Sequence, residues 1–199
     1  MKTIGFFLLL VSVQCCFGQT DTNSIAIGNW SETVADKDGY LLRGRLLVYD
    51  AEGLNKYGIW QFARVYMELQ HVGVRGFPME FYVDDMKCLN FELHDALGRP
   101  APGYWAFTSR TVPEPFTVTL PGDSILRLRV DRELGSTKKP DGLMIGVNGG
   151  DWAIRPDATN DYFLSATFSP PTNHIVSGNN HLWRGMLKLP GLKIPVKKQ

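Results

Sequence analysis

Apolar and polar side chains alternate with a period of two residues along most of this 199-residue chain. Ala63, Val65, Met67 and Leu69, for example, are separated by polar or amphipathic residues. The same alternation occurs in segments whose apolar members include Leu42/Leu46/Val48, Met79/Phe81/Val83, Leu89/Phe91/Leu93, Phe116/Val118/Leu120, Leu126/Leu128/Val130, Leu143/Ile145/Val147, Tyr162/Leu164/Ala166/Phe168, Trp183/Leu187/Leu189 and Leu192/Ile194/Val196. A two-residue period predicts β-strands with one buried face.

Gly, Pro, Asn and Asp separate these runs, which recur every 10 to 20 residues. Such spacing predicts an all-β fold, and we expect an antiparallel immunoglobulin-like β-sandwich of about nine strands. Strands that are apolar on one face only are not typical of a parallel α/β sheet. At most one short helix fits the sequence, over residues 51–60.

The N-terminus carries the three parts of a secretory signal peptide: Lys2, the apolar run Ile4–Val11 and small residues before Gln19. A lipoprotein cysteine at position 15 or 16 is the competing interpretation, but Ser12-Val13-Gln14 lacks the required order of residues. We therefore expect residues 1–18 to be a signal peptide, 19–39 a polar lead-in segment, and 40–199 a single β-sandwich domain. The predicted location is secreted or periplasmic.

Removing residues 1–18 takes away Lys2, Cys15 and Cys16. The remaining chain has 20 basic and 20 acidic residues, a formal net charge of zero, which does not favour nucleic-acid binding. Its only cysteine is Cys88, so an intramolecular disulfide is impossible. A second apolar run of about 20 residues is absent from the sequence, and we expect no membrane span.

Two pairs of segments carry a resemblance to a known architecture. The run Phe116-Thr-Val-Thr-Leu-Pro-Gly-Asp-Ser124 with Leu126-Arg-Leu-Arg-Val130 resembles the Pro-Gly turn of secreted bacterial immunoglobulin-like sandwiches. Tyr162–Phe168 and Trp183–Leu189 are similar to their closing strands. The bacterial intracellular-proteinase-inhibitor domains share this layout. The resemblance covers roughly residues 60–196 and implies a sandwich fold, with no functional residues to carry over.

The sequence contains one candidate for nucleophilic catalysis. Cys88 is a candidate nucleophile with His94 or His71 as its base, because a thiolate needs a neighbouring base or cation. A structural thiol at a sheet edge explains the same residue. Nucleophile-elbow and phosphate-loop patterns are absent, and Gly146-Val-Asn-Gly-Gly150 is better explained as a hairpin turn.

Two loops have the residue types of metal ligands. His174 and His181 could bind zinc or copper if Asp161 approached them. The segment Asp157–Asp161 has the acidic spacing of a calcium loop, but Tyr162 and Phe168 stand where that loop needs Gly and Glu. We expect no catalytic, cofactor-binding or metal-binding residues, and no cofactor.

Exposed aromatic and basic side chains are the remaining candidates for a binding surface. Arg43/Arg45 and Arg127/Arg129 are predicted to lie on outward strand faces, either as a stripe for an acidic polymer or as a solvent-facing cover. Asn29-Trp30-Ser31 is a glycosylation acceptor in a eukaryotic host. Aromatic residues at predicted loops or strand ends either close the ends of the sandwich or contact a partner, and they are Tyr57, Trp60, Tyr104, Trp105 and Trp152.

The sequence therefore predicts a secreted, non-catalytic β-sandwich module that binds another protein or a glycan, or is structural in the cell envelope. The alternative is a protease-inhibitor-like or carbohydrate-binding domain that uses the loop rim at residues 98–115.

Overall fold

A computed structural model describes residues 25–55, 58–73, 78–83, 85–103, 115–132, 142–155, 161–171 and 181–194. These residues form thirteen strands and one helical turn. The elements are β1 (Ile25–Ile27), β2 (Val34–Ala35), β3 (Leu41–Asn55), β4 (Gly58–Val72), β5 (Met79–Val83), α1 (Asp85–Cys88), β6 (Leu89–Asp95), β7 (Phe116–Leu120), β8 (Ile125–Arg129), β9 (Leu143–Val147), β10 (Gly150–Ile154), β11 (Tyr162–Phe168), β12 (His181–Leu182) and β13 (Leu187–Lys193).

The all-β class predicted from the alternation is confirmed. The largest sheet has the order β1-β3-β4-β9-β10, with β2 paired to β3 and β8 paired to β4. Its central hairpin joins β3 and β4, two strands of 15 residues each that stay in register from Leu41↔Val72 to Asn55↔Gly58. The short helix that the sequence allowed over residues 51–60 is not formed by the described part of this range, because residues 51–55 belong to β3 and residues 58–60 to β4.

Two three-stranded sheets complete the described fold, with the orders β13-β11-β6 and β12-β5-β7. Most pairings are antiparallel, as expected. Two are parallel: β12 with β5, and a single pair, Phe62↔Met144, between β4 and β9. The expectation of a purely antiparallel arrangement of about nine strands is therefore corrected to thirteen strands in mixed sheets over the described residues.

One hydrophobic core collects side chains from all three sheets. In β6 the odd positions from Leu89 are buried and most even positions are exposed, which is the pattern that the sequence showed. Strand β9 differs, because all five of its residues are buried. Phe168 and Trp183 stack with their ring centroids 6.0 Å apart, and Phe81 packs against both rings.

Gly44 lets strand β13 approach the central hairpin closely. A Cβ at this position would lie 2.6 Å from Leu189 Cδ2 and 3.0 Å from the carbonyl oxygen of Glu68. Any other residue would therefore have to displace the Leu189 side chain and crowd the backbone of Glu68. This contact closes the core beneath the hairpin and leaves the opposite face of β3 and β4 turned outward.

Candidate functional site

The outward side of β3, β4 and β8 carries a cross-strand row of three charged side chains. Register places Arg45 opposite Glu68 and Glu68 opposite Arg127. Arg45 Nε donates to Glu68 Oε2 at 2.7 Å, while Arg127 donates to Glu68 Oε1 from Nε at 2.8 Å and Nη2 at 2.6 Å. One carboxylate therefore positions two guanidinium groups that come from different strands.

Trp30 packs beside this row from the segment that precedes β2. The guanidinium carbon of Arg45 lies 4.5 Å from the centroid of the Trp30 ring, and that of Arg43 lies 4.9 Å from it. Both distances are within the range of cation–π contacts. Arg43 Nε also donates to Gln70 Oε1 at 2.8 Å, so its partner across the strand is neutral.

A further ion pair lies on the same side of the sheet, at the end of β8. Arg129 forms an ion pair with Asp131 at 2.7 Å, and Asp131 Oδ1 also accepts the backbone N–H of Val65 at 3.0 Å. The rings of Tyr49 and Tyr66 meet edge to face, with centroids 5.3 Å apart. We call this surface the arginine face, and its members are Trp30, Arg43, Arg45, Tyr49, Arg64, Tyr66, Glu68, Gln70, Arg127 and Arg129.

The arginine face has an excess of positive charge. Its five arginines face one acidic member, Glu68, and the adjoining Asp131, which leaves a formal excess of three positive charges. The exposed fraction of the side chain is 50% for Arg127 and 4% for Glu68. The guanidinium group of Arg127 thus faces solvent, and the Glu68 carboxylate that binds it lies beneath.

Glu68 remains ionised in spite of its burial. Burial acts to raise its pKa, but hydrogen bonds from Arg127 and Arg45, together with their charges, outweigh burial and lower the pKa below its usual value. The hydrogen bond to Glu68 raises the pKa of Arg127, although burial of that guanidinium acts in the opposite direction. The three charges therefore coexist at neutral pH.

The sequence predicted part of this face. The outward orientation of Arg43, Arg45, Arg127 and Arg129 is confirmed by their exposed or half-buried positions. A shared stripe was one of two interpretations of the arginine pairs, but the partner of each arginine and the position of Trp30 were not predicted. Nothing local signals these contacts, because 59 residues separate Arg127 from Glu68.

A second group of polar side chains lies where the turn at residues 36–40 meets β12. Asp36 Oδ1 accepts the backbone N–H groups of Asp38 and Tyr40, each at 3.0 Å. The Nε2–H of His181 donates to Asp36 Oδ2 at 2.5 Å, and Nδ1 of His181 lies 3.5 Å from Asp38 Oδ2. The rings of His181 and Tyr40 stack with centroids 3.8 Å apart.

Asp36 is a buried carboxylate that its hydrogen bonds keep ionised. Burial acts to raise its pKa, whereas hydrogen bonds from His181 and from the N–H groups of Tyr40 and Asp38 lower it, and the net pKa is below the ordinary value. Ligand atoms of Asp36, Asp38 and His181 lie within 4.8 Å of one another, which is a spacing that a metal ion could use. Internal hydrogen bonds already engage both oxygens of Asp36 and account for the cluster.

His181 was considered in the sequence as a metal ligand together with His174 and Asp161. The structure instead brings His181 to Asp36 and Asp38, while Asp161 accepts a hydrogen bond from Lys193 Nζ at 2.7 Å. His174 lies outside the described residues. Residues 157–160 of the possible calcium loop also lie outside them. The acidic partners of His181 were missed because Asp36-Lys37-Asp38-Gly39 has the composition of an ordinary turn.

Cys88 lies at the C-terminal end of α1, directly before the edge strand β6 as the structural interpretation expected, and it is buried. Its Sγ donates to the carbonyl oxygen of Tyr82 at 3.3 Å. His71 is also buried, and its Nδ1 lies 3.3 Å from the carbonyl oxygen of Leu120. His94 lies in β6, where its register partner on β11 is Phe163. These hydrogen bonds give Cys88 and His71 structural partners.

The predicted hairpin turn at Gly146–Gly150 is confirmed between β9 and β10. Gly149 has a φ of 106°, and a Cβ there would lie 2.6 Å from the carbonyl oxygen of Phe91, so the turn packs directly on β6. Among the aromatic candidates, Trp152 is buried and Trp60 lies in β4. Tyr57, Tyr104 and Trp105 lie outside the described residues, as does most of the rim at residues 98–115.

The fold and the arginine face define an all-β protein with a basic, outward sheet surface. Comparison of the chain with protein-family models, with curated proteins and with solved structures finds no match. Over the described residues, the structure contains no helix that is long and apolar enough to cross a membrane.

Proposed function

We propose that this chain is a secreted or periplasmic, non-catalytic β-sandwich of immunoglobulin-like type that acts as a binding module through its arginine face. The observation that carries the proposal is the row Arg45–Glu68–Arg127, which holds two guanidinium groups on an outward sheet surface. Solvent-facing charge of this kind steers an oppositely charged partner toward the surface.

The proposed location rests on the N-terminal sequence. Lys2, the apolar run that follows it and the small residues before Gln19 have the order of a cleaved signal peptide. We expect the exported protein to begin at Gln19. Sequencing the N-terminus of the protein recovered from the extracytoplasmic fraction tests this part, and an uncleaved chain in the cytoplasm would contradict it.

The proposed lack of catalysis is supported by the surroundings of the candidate groups. Cys88 is buried, and a nucleophilic thiol needs access to its substrate. His181 is held by Asp36 on one side and by the stacked ring of Tyr40. Both side chains contribute to the packing of the fold.

A capture experiment tests the binding function. The exported protein is immobilised and exposed to the extracellular fraction of its own source, in parallel with the double variant Arg43→Gln/Arg127→Gln. A matched control is Lys188→Gln, which removes one exposed positive charge from β13. We expect the wild type and the control to retain the same component and the double variant to lose it. Equal retention by all three would exclude the arginine face as the binding surface.

A further inference from the structure

We infer that the partner of the arginine face is an acidic polysaccharide, whose carboxylate or sulfate groups pair with the guanidinium groups of Arg43, Arg127 and Arg129. This inference rests on the proposed binding function and specifies the chemistry of the ligand. Three observations support it. They are the spacing of the arginines on the sheet, the contacts that hold their guanidinium groups in place, and the position of the apolar side chains around them.

The positive groups form a diagonal track across the sheet, because Arg45 and Arg127 share a cross-strand row while Arg43 and Arg129 lie in the rows on either side of it. Arg43 and Arg45 stand two residues apart on β3, and Arg127 and Arg129 stand two residues apart on β8. Residues two apart along a strand are separated by about 7 Å, and strands separated by one intervening strand lie about 10 Å apart. A polymer that carries an anionic group at each repeat can therefore contact several arginines at once, and multivalent contact raises the affinity of weak individual pairs.

The guanidinium groups are positioned before any ligand arrives. Glu68 holds Arg45 and Arg127 from beneath, and Trp30 packs against Arg43 and Arg45. Side chains that are already ordered lose less entropy on binding. Guanidinium groups also form paired hydrogen bonds with carboxylate and with other oxyanions, which an ammonium group cannot do.

Exposed apolar side chains are sparse on the arginine face, which favours a polysaccharide over a protein. The exposed isoleucines on this side of the sheet stand apart, with Ile27 on β1 and Ile125 on β8. Aromatic residues contribute much of the binding energy of protein interfaces when they insert into the partner. The aromatic members of this face are instead half-buried, with Trp30 packed against two arginines and Tyr49 against Tyr66.

Binding to defined polymers tests the inference. The exported protein is titrated with heparin and polygalacturonate as acidic polysaccharides, with dextran as a neutral one, and with polyglutamate as an acidic polypeptide, at low and at physiological salt. We expect binding to at least one acidic polysaccharide, no binding to dextran, and weaker binding at higher salt. Arg43→Gln/Arg127→Gln should weaken the binding by about tenfold, which corresponds to about 1.4 kcal/mol.

Three variants separate loss of charge from loss of fold. Arg43→Gln removes a residue whose shown hydrogen-bond partner is the neutral Gln70, and Arg43→Lys keeps the charge without the planar fork. Lys188→Gln is the control for a charge on β13. Circular dichroism and thermal unfolding establish that each variant is folded. We expect binding to decrease in the order wild type, Arg43→Lys, Arg43→Gln, with the control equal to the wild type.

The possible results distinguish failure of the polysaccharide assignment from failure of the proposed binding function. Binding of polyglutamate in preference to both acidic polysaccharides would overturn the glycan assignment and leave an acidic protein as the partner. Failure to bind any acidic polysaccharide, with a component still captured through the arginine face, would overturn the inference alone. Polysaccharide binding that Arg43→Gln/Arg127→Gln does not weaken would also overturn it, because the contact would then lie elsewhere.

Discussion

Asp36 and His181 meet across 145 positions of the chain, with Nε2 of the imidazole 2.5 Å from Oδ2 of the buried carboxylate. The contact fastens the turn before β3 to the short strand β12. The indole N–H of Trp183, two residues after His181, donates to the carbonyl oxygen of Tyr40 at 3.2 Å and strengthens the same junction. This junction joins the large sheet to the sheet that contains β5.

Removing either member of this pair should destabilise the protein. We expect Asp36→Asn and His181→Gln each to lower the free energy of unfolding by about 1–3 kcal/mol, because each leaves a polar group at this junction without its hydrogen-bond partner. The double variant should lose less than the sum of the two, since both single changes break the same contact. Urea denaturation measures all three values, and strict additivity would contradict a direct interaction.

Asp38→Asn is the matched control for this pair. Asp38 is half exposed and lies 3.5 Å from Nδ1 of His181, so its contact with the imidazole is screened by solvent. We expect this variant to lose no more than about 1 kcal/mol.

The stability of the protein should fall in acid, and Asp36 should contribute to the fall. Its folded-state pKa is below the ordinary value of 3.8. The carboxylate therefore stabilises the fold fully above that ordinary value, and its contribution is lost as the pH decreases through the folded-state pKa. We expect the difference in unfolding free energy between the wild type and Asp36→Asn to shrink below about pH 4. Urea titrations between about pH 5 and pH 2 measure this, and a difference that stays constant would contradict it.

Glu68→Gln should destabilise the central hairpin. The change removes the charge that Arg45 and Arg127 share while it keeps the size of the side chain. Because Glu68 is buried, we expect a loss of about 1–3 kcal/mol in the free energy of unfolding. The same chemical change at the exposed Glu92 of β6 is the control and should cost less than about 0.5 kcal/mol. Equal effects at the two positions would show that the shared carboxylate adds no stability.

Gly44→Ala should test the close approach of β3 and β13. The added Cβ would meet Leu189 Cδ2 and the Glu68 carbonyl oxygen, and overpacking of this kind costs about 1–3 kcal/mol. Gly103→Ala is the control, because no atom lies within 4 Å of a Cβ placed there. Thermal unfolding compares the two variants. A melting temperature for Gly44→Ala equal to that of the control would mean that the strands separate without cost.

Cys88 should be unreactive in the folded protein. Its thiol is buried and donates to the carbonyl oxygen of Tyr82, so an alkylating reagent reaches it only when the protein opens. We expect slow alkylation in buffer and fast alkylation in denaturant, followed by mass spectrometry of the chain from Gln19. Native alkylation as fast as that of the unfolded chain would contradict the burial.

The sequence alone determined most of the longer strands and, for most of them, which side is buried. A two-residue period is a local property, so Val65, Met67 and Leu69 could be assigned to the interior without knowing their partners. Short strands were missed, because β1, β2 and β12 have only two or three residues and cannot display a period. The sequence also allowed a short helix over residues 51–60, and pairing between β3 and β4 makes residues 51–55 and 58–60 strand.

Only the tertiary structure decided which strands are neighbours, and this defines both polar sites. Arg45 and Arg127 belong to strands that are distant in sequence, and they share Glu68 because β4 lies between β3 and β8. In the sequence, Asp36 belongs to the polar lead-in segment and His181 to a possible metal pair with His174, and no local pattern joins the two. Alternation fixes the face on which a side chain lies, but strand order depends on which nonlocal pairings bury the most apolar surface, and no local pattern records that.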